Sequence, residues 1–522
     1  MRTPRNLDLE GFVAYVESRP SSLGCWRDGD MGAYPTLAWL NVQPVVERRT
    51  LTAELGPYVA VAMSTSAHHN KVGVSAGWVT QYMTGPASRL PSPDQDRAGM
   101  WALAERYWAL RNLIIEVRVG LRGFESYGTL VRLPYQGNHE IDALDRMLDL
   151  VDSFDSLTPP RRQRDPRLAE WIRTKGLTTP WNRSPVWVQD LYRSVAADVL
   201  DTYPKYLPPT ASVAGFTVAD LDAYWCELMA RGMQMNAEIT AGSLHPPTIV
   251  PVVDEEKFIE ELACGAAIDA TASERITRLH TIDVATCPDA ALTPLAPLGR
   301  ALIPMSSLIV PGAPHRNTLA IVQSDPSLYG EAGRLLGSAG EHETLQTLDR
   351  MATGTLVASR VKASRHSGNA AGDLDVVVSD PRDKVIAVFE IKWSIAADGN
   401  AEVYRMERQA IEKRGQVERL RREIEQGDAT VQWPTGWPDV SDFDWRWFVL
   451  TRDVLATQEI HTNQVVLRSH QLMTRTLRKG ATVRQLLDLL ESPPIPPVEI
   501  CGTEWHRIRF GDIRVDAELL IA

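Results

Sequence analysis

Cysteine is scarce in this chain: five in 522 residues, at Cys25, Cys226, Cys264, Cys287 and Cys501, with no CxxC pair. Ligands and thiols that far apart exclude a dense disulfide framework and argue against structural zinc. Long apolar runs are missing as well. Ile249–Val253 is typical of the longest, far short of the roughly 18 residues that suggest a membrane span. The segment Met1–Asp8 has no apolar signal core, so a cytoplasmic protein without membrane attachment is expected. Net positive charge is also absent. The 55 Lys and Arg are outnumbered by 66 Asp and Glu, leaving a formal charge of −11. That excludes a protein that coats nucleic acid by bulk charge, but not one with a local basic groove. Lysine itself is rare, 9 against 46 arginines, so a lysine in an unusual place invites inspection. There is no Walker A loop, no GxGxxG after a strand and no HExxH. His68-His69 has no third ligand nearby and reads as exposed.

What is present is globular: 44% hydrophobic and 23% charged residues. At roughly 100–200 residues per domain, the length suggests two to four domains. The expected fold class is multidomain, α plus α/β. Residues 1–244 read as mainly helical, with helices expected over Ala98–Val119 and Phe216–Met235. An amphipathic Ile141–Leu157 carries Asp142, Asp145, Asp149, Asp152 and Asp155 on one side, a pattern better explained as a solvated face than as a metal site. Residues 245–329 read as a mixed β connecting region, with β-prone or mixed runs at Thr248–Val253, Ala301–Val310 and Thr318–Val322. No tryptophan occurs between Trp225 and Trp393. Residues 330–460 read as an α/β unit: a helix at Gly333–Met351, strands at Thr355–Lys362, Asp373–Ser379, Val385–Trp393 and Asp444–Thr451, and a helix at Ala401–Gln426. Residues 461–522 read as a basic helix, a proline break at 492–497 and a short tail.

The chemistry concentrates in the strands of the third segment. Side chains alternate along a strand, so Glu390 and Lys392 share one face while Phe389, Ile391 and Trp393 share the other. If Asp373–Ser379 and Val385–Trp393 pair antiparallel about Arg382–Asp383, Asp375 falls opposite Glu390 and Asp373 opposite Lys392. Directly opposed residues have Cβ atoms about 4.5–5.5 Å apart, within reach of one shared divalent ion. Without a cation the two carboxylates would repel and one pKa would rise. Mg²⁺ suits such a pair, since it binds through one or two carboxylates plus water and phosphate. A lysine beside them can assist an attacking water and offset developing charge. Charged pairs also occur routinely on exposed strands, and Asp373 reads equally as a strand-end carboxylate.

Asp375 followed by Glu390-x-Lys392, with a helix before and a helix after, resembles the PD-(D/E)xK, or restriction-endonuclease-like, nuclease superfamily over about 330–460. Leu374 stands where the family's name has proline. The resemblance implies a central mixed sheet flanked by helices, with Asp375, Glu390 and the Ile391 carbonyl as metal ligands and Lys392 assisting the water. It adds Glu343 from the preceding helix, with Glu341 in reserve, and Gln416 from the following one. The implied cofactor is Mg²⁺, with Mn²⁺ as a substitute. The implied function is a phosphodiester hydrolase, in expectation a DNA endonuclease of a prokaryotic defence or restriction-type system. A catalytically inactive scaffold that binds nucleic acid or protein is the alternative. Candidate nucleic-acid contacts are Arg360, Lys362 and Arg365 before the hairpin, and Arg475, Arg478 and Lys479 in a stretch without acidic residues; the competing reading is an ordinary solvated surface. The N-terminal part is expected to serve recognition, regulation or a protein partner, and an oligomer is compatible with duplex cutting.

Overall fold

The computed structural model describes residues 7–19, 94–136, 181–240, 252–283, 291–325, 328–395, 400–452, 465–491 and 502–521, with a few isolated positions between them. The acidic stripe of 141–157, the His68-His69 pair and the proline break at 492–497 lie outside the described residues. The first helix, α1 (Leu9–Ser18), starts at Asp8, whose carboxylate accepts the Gly11 amide. In α2 (Asp94–Arg118) the expected aromatic and aliphatic positions Trp101, Tyr107, Leu110 and Ile114 are buried. A hairpin follows, β1 (Glu125–Tyr127) and β2 (Leu130–Leu133). Helices α3 (Val186–Leu200) and α4 (Val218–Thr240) share a second core containing Tyr192, Tyr224 and Trp225.

The connecting region is more helical than its sequence suggests. It holds α5 (Glu255–Ala266), α6 (Ala270–Leu279), β3 (Leu295–Leu298), β4 (Ala301–Pro304) and α7 (Pro314–Ser324). Its β content is a small sheet of β3, β4 and Val253–Asp254. Thr318–Val322, β-prone by composition, lies inside α7. Pro314 is preset for a helix's first turn, and Pro314 through Val322 are all buried, so tertiary packing overrides the local preference.

Next come α8 (Tyr329–Leu348), β5 (Leu356–Arg365), β6 (Ala370–Asp380), β7 (Val385–Lys392), α9 (Asn400–Glu425), β8 (Ala429–Val431), β9 (Asp444–Thr451), β10 (Val465–Ser469), α10 (His470–Thr476) and α11 (Val483–Glu491). Six of these strands make one mixed sheet in the order β8-β5-β6-β7-β9-β10. β5, β6 and β7 pair antiparallel, whereas β7-β9 and β9-β10 are parallel. The protein is thus of mixed α/β class. One face of the sheet packs against α8, α10 and α11 through Leu336, Met473 and Leu486, and the other against α9 through Ala410 and Val417.

Two expected boundaries move. The break at 460 is not a domain edge, because β10 is the outer strand of the six-stranded sheet. The last segment is no tail either. It forms the hairpin β11 (Gly502–Phe510) and β12 (Ile513–Ile521), and β12 runs parallel to β2. Phe510, Ile513 and Val515 therefore share a core with Phe12, Trp101 and Leu110. The break at 330 is crossed by packing: Leu319 and Val322 of α7, with Tyr206 and Leu207, sit in the same core as Val376 and Phe389. Among the described residues no helix is long and apolar enough to cross a membrane.

Candidate active site

β7 has neighbours on both edges and helices on both faces, and it is buried from Val385 to Ile391. A continuous apolar run suits such a strand. Glu390 interrupts that run while only 2% exposed, and a buried carboxylate needs partners. Ile386 and Val388 face α9, so the two-residue period puts Glu390 and Lys392 toward that helix as well.

The β6–β7 register runs from Val385 opposite Asp380 to Phe389 opposite Val376, as expected from the turn. The ladder ends there. Asp375, next in line, instead accepts the Ile391 amide on its Oδ2 at 2.7 Å. On the other edge, β5–β6 pairing steps from Ser359–Val376 to Val361–Leu374 and skips Arg360 opposite Asp375. Arg360 is there at φ 52°, a left-handed conformation that costs a non-glycine residue about 1–3 kcal/mol. Both ladders thus lapse at Asp375, and its carboxylate takes over a hydrogen bond that backbone would make elsewhere.

Lys413 of α9 completes the cluster. Its Nζ lies 2.8 Å from Glu390 Oε2 and 3.6 Å from Asp375 Oδ2. Sequence reading missed this residue, although a signal existed. The apolar stripe of α9 runs Met406, Ala410, Val417, Leu420, Ile424, and steps of four and three put a stripe position at 413. One of nine lysines occupies it.

Burial, then the neighbouring Asp375, push the Glu390 carboxyl up to about 8, with Lys413 opposing. Glu390 Oε1 has no hydrogen-bond partner among the described residues. Burial and, next, Lys413 hold Lys392 below the usual lysine range, with Glu412 partly opposing. For Lys413 burial works against the charge, but Glu390 and Asp375 outweigh it and raise its pKa.

Asp375 and Glu390 are therefore brought together around Lys413, with Lys392 two residues further along the same face of β7. The other expected residues divide. Ile391 offers its amide to Asp375, and its side chain packs against α8 near Gly340. Glu343 is turned away: Thr347, one turn on, donates its hydroxyl to the Glu343 carbonyl and meets His470 Nε2 at 3.1 Å, so this side of α8 faces α10. Glu341, about 200° around the helix, is the glutamate beside the site, because its carboxylate receives Arg360 Nε at 2.7 Å. Gln416 lies one turn beyond Lys413 and is exposed. Asp373 pairs with Lys362 across β5–β6 instead of facing Lys392.

Of the candidate phosphate contacts, Arg360 is held by Glu341, and Arg365 is held by Glu423 at 2.9 Å. Lys362 is exposed. Arg478 and Lys479 are exposed too, but at the wrong end of the sheet. Gly480 donates to the Arg350 carbonyl, and Thr353 nearby accepts from Arg382 in the β6–β7 turn. The turn end of β7 is roughly 20 Å from Lys392 at about 3.3 Å per residue. Arg475 belongs to α10, and its side chain lies outside the described residues.

Beyond Lys392 a cavity of about 130 Å³ opens between α7, α8 and α9, lined by Gln323, Lys392, Trp393, Ser394, Arg405 and Gln409. An ion pair of Arg316 with Glu402 ties α7 to the first turn of α9 at its rim. Among the described residues no group of three or more His, Cys, Asp or Glu gathers as a metal cage. No known family, curated protein or solved structure matches this chain.

Proposed function

We propose that this chain is a Mg²⁺-dependent nuclease of the PD-(D/E)xK kind that hydrolyses phosphodiester bonds in DNA. The observation that carries the reading is the convergence of Asp375 and Glu390 on a single cation, the Lys413 ammonium. The residues fit a divalent ion. A buried and a half-buried carboxylate meet, the buried one with an unpartnered oxygen, and Mg²⁺ takes one or two carboxylates and completes its shell with water and phosphate. When bound, such an ion supplies Lewis acidity and a more acidic water.

The chain's own part follows from its geometry. Asp375 and Glu390 hold the cation, and the Ile391 amide fixes the Asp375 carboxylate in place. Lys392 lines the cavity where substrate would enter. Its ammonium is disfavoured by burial, which suits it to accept the proton of the attacking water as the oxygen adds to phosphorus and the ester bond breaks. Exposed Lys362 supports phosphate contact near the site, whereas Arg478 and Lys479 do not. A role in defence or restriction, with a partner bound by the N-terminal half, belongs to the same proposal.

The test is incubation of the full chain with plasmid, linear and single-stranded DNA, and with RNA, in Mg²⁺, Mn²⁺ or EDTA. Cleavage that needs the metal and disappears in Asp375→Ala and Lys392→Ala supports the reading. Cleavage that survives those changes, or its absence with every divalent ion, overturns it and favours a non-cleaving scaffold.

A further inference from the structure

On the metal-site reading of Asp375 and Glu390, we infer that Lys413 is a resident counter-ion that occupies the metal position and must withdraw for a divalent cation to bind. The Nζ sits between the two carboxylates, 2.8 Å from Glu390 Oε2 and 3.6 Å from Asp375 Oδ2. Mg²⁺ binds oxygen at about 2.0–2.1 Å. An ion held by both oxygens would fall against that Nζ, so the two cations exclude each other. Charge says the same. A dication would satisfy the two carboxylates by itself and repel an ammonium at contact distance.

Lys413 is built to leave. Its side chain is 25% exposed, and a lysine stem is long and flexible. The α9 surface next to it carries exposed Glu412 and Gln416, so the ammonium has a path to water. Nor does Lys413 behave as a fixed structural clamp. It satisfies one oxygen of Glu390 and leaves Oε1 without a partner. The lysine thus keeps buried Glu390 and its neighbour Asp375 tolerable together while the metal is away, and sets the metal concentration at which the site fills.

Direct metal binding tests this without reference to activity. Mn²⁺ titrated into the full chain is followed by the paramagnetic resonance of the free ion, for wild type, Lys413→Met and Lys413→Arg. If the lysine competes, apparent affinity is reduced by the fraction of molecules in which it has withdrawn, so Lys413→Met binds roughly tenfold more tightly. Lys413→Arg, which keeps the charge, does not tighten. A second measurement uses the unmodified chain and does not depend on a variant folding. Acylation of Lys413 by an amine-reactive ester, read by peptide mass spectrometry against exposed Lys479, rises when Mg²⁺ is added. Equal Mn²⁺ affinity in wild type and Lys413→Met, with unchanged labelling, overturns the inference while leaving the metal site intact. Mn²⁺ binding unaffected by Asp375→Asn and Glu390→Gln overturns the nuclease reading itself, and the inference with it.

Discussion

Among the described residues the two most deeply buried glutamates are Glu227 at 1% and Glu390 at 2% exposure, and their surroundings are opposite. Glu227, on α4, has both oxygens occupied. Trp181 Nε1 at 2.7 Å and Arg231 Nε at 2.9 Å donate to Oε1, and Arg193 Nε at 2.7 Å donates to Oε2. Burial raises its pKa, but the two arginines outweigh that and bring it below the usual carboxylate range. Glu390 has one side-chain donor, Lys413, an acid for a neighbour and a bare oxygen, and burial pushes it up to about 8. Equal burial, then, decides nothing about a carboxylate's role. The supply of donors does: a glutamate whose oxygens are all engaged is a structural tie, and one left short of donors can still take up a cation.

The comparison breaks most visibly at Glu227. Glu227→Gln takes the buried counter-charge from two partly buried guanidiniums, leaving Arg193 only Asp190 and Arg231 only Glu261, each at 3.3 Å, and is expected to lower stability by about 3 kcal/mol, read from urea unfolding. The same change at Glu390 should act on function instead. Mg²⁺-dependent cleavage falls at least about a hundredfold, the scale of losing one preorganised charged group, while the urea midpoint moves far less than for Glu227→Gln. A large stability loss in Glu390→Gln would make both residues structural and erase the contrast. Packing under the site gives the next effect. A Cβ at Gly340 would stand 2.6 Å from the Trp393 ring and 2.8 Å from Ile391, so Gly340→Ala costs about 1–3 kcal/mol. Cleavage should fall with it, because the Ile391 amide positions Asp375.

The two glutamates should also tilt stability oppositely with pH. Glu390 binds its proton more tightly folded than unfolded, so in EDTA the stability it confers is present below its ordinary value of 4.5 and is lost as pH rises toward about 8. Glu390→Gln removes that slope, and Mg²⁺ should flatten it in wild type. Asp375 and Lys413 are the charged groups facing it. Glu227 has a depressed pKa, so its contribution is present above its ordinary value and is lost as pH falls through its folded one. Urea midpoints of wild type and both Gln variants across pH check each sign. The smallest effect is expected at exposed Gln416, where Ala should shift stability by no more than about 0.5 kcal/mol; a large loss of cleavage there would mean that the site extends further along α9 than Lys413.

Much of the α/β unit was legible in the sequence because its signals are local. β9 spans Asp444–Thr451 as read, and α9 and β7 begin and end within a residue of expectation. Asp375 and Glu390 could be brought together from a turn and a two-residue period. Short β8 and β10 escaped notice, since three to five residues that pair with distant strands carry little pattern of their own. Glu343 was preferred to Glu341 because two helical residues are indistinguishable until the helix is rotated onto its sheet. The basic stretch at Arg478 and Lys479 looked suited to DNA by composition, and its position at the far end of the sheet is a tertiary fact.

The sequence by itself determined which carboxylates and which strand lysine share a face, because alternation and turn geometry act over a few residues. Only the tertiary structure decided what stands between them. Lys413 reaches Asp375 and Glu390 because α9 lies across one particular face of the sheet in one particular rotation. The closing hairpin completes a core with Phe12 and Trp101 because β12 finds β2 from the other end of the chain. Those outcomes depend on long-range packing, in which many weak contacts select one arrangement, and no window of the sequence holds enough of them to be read alone.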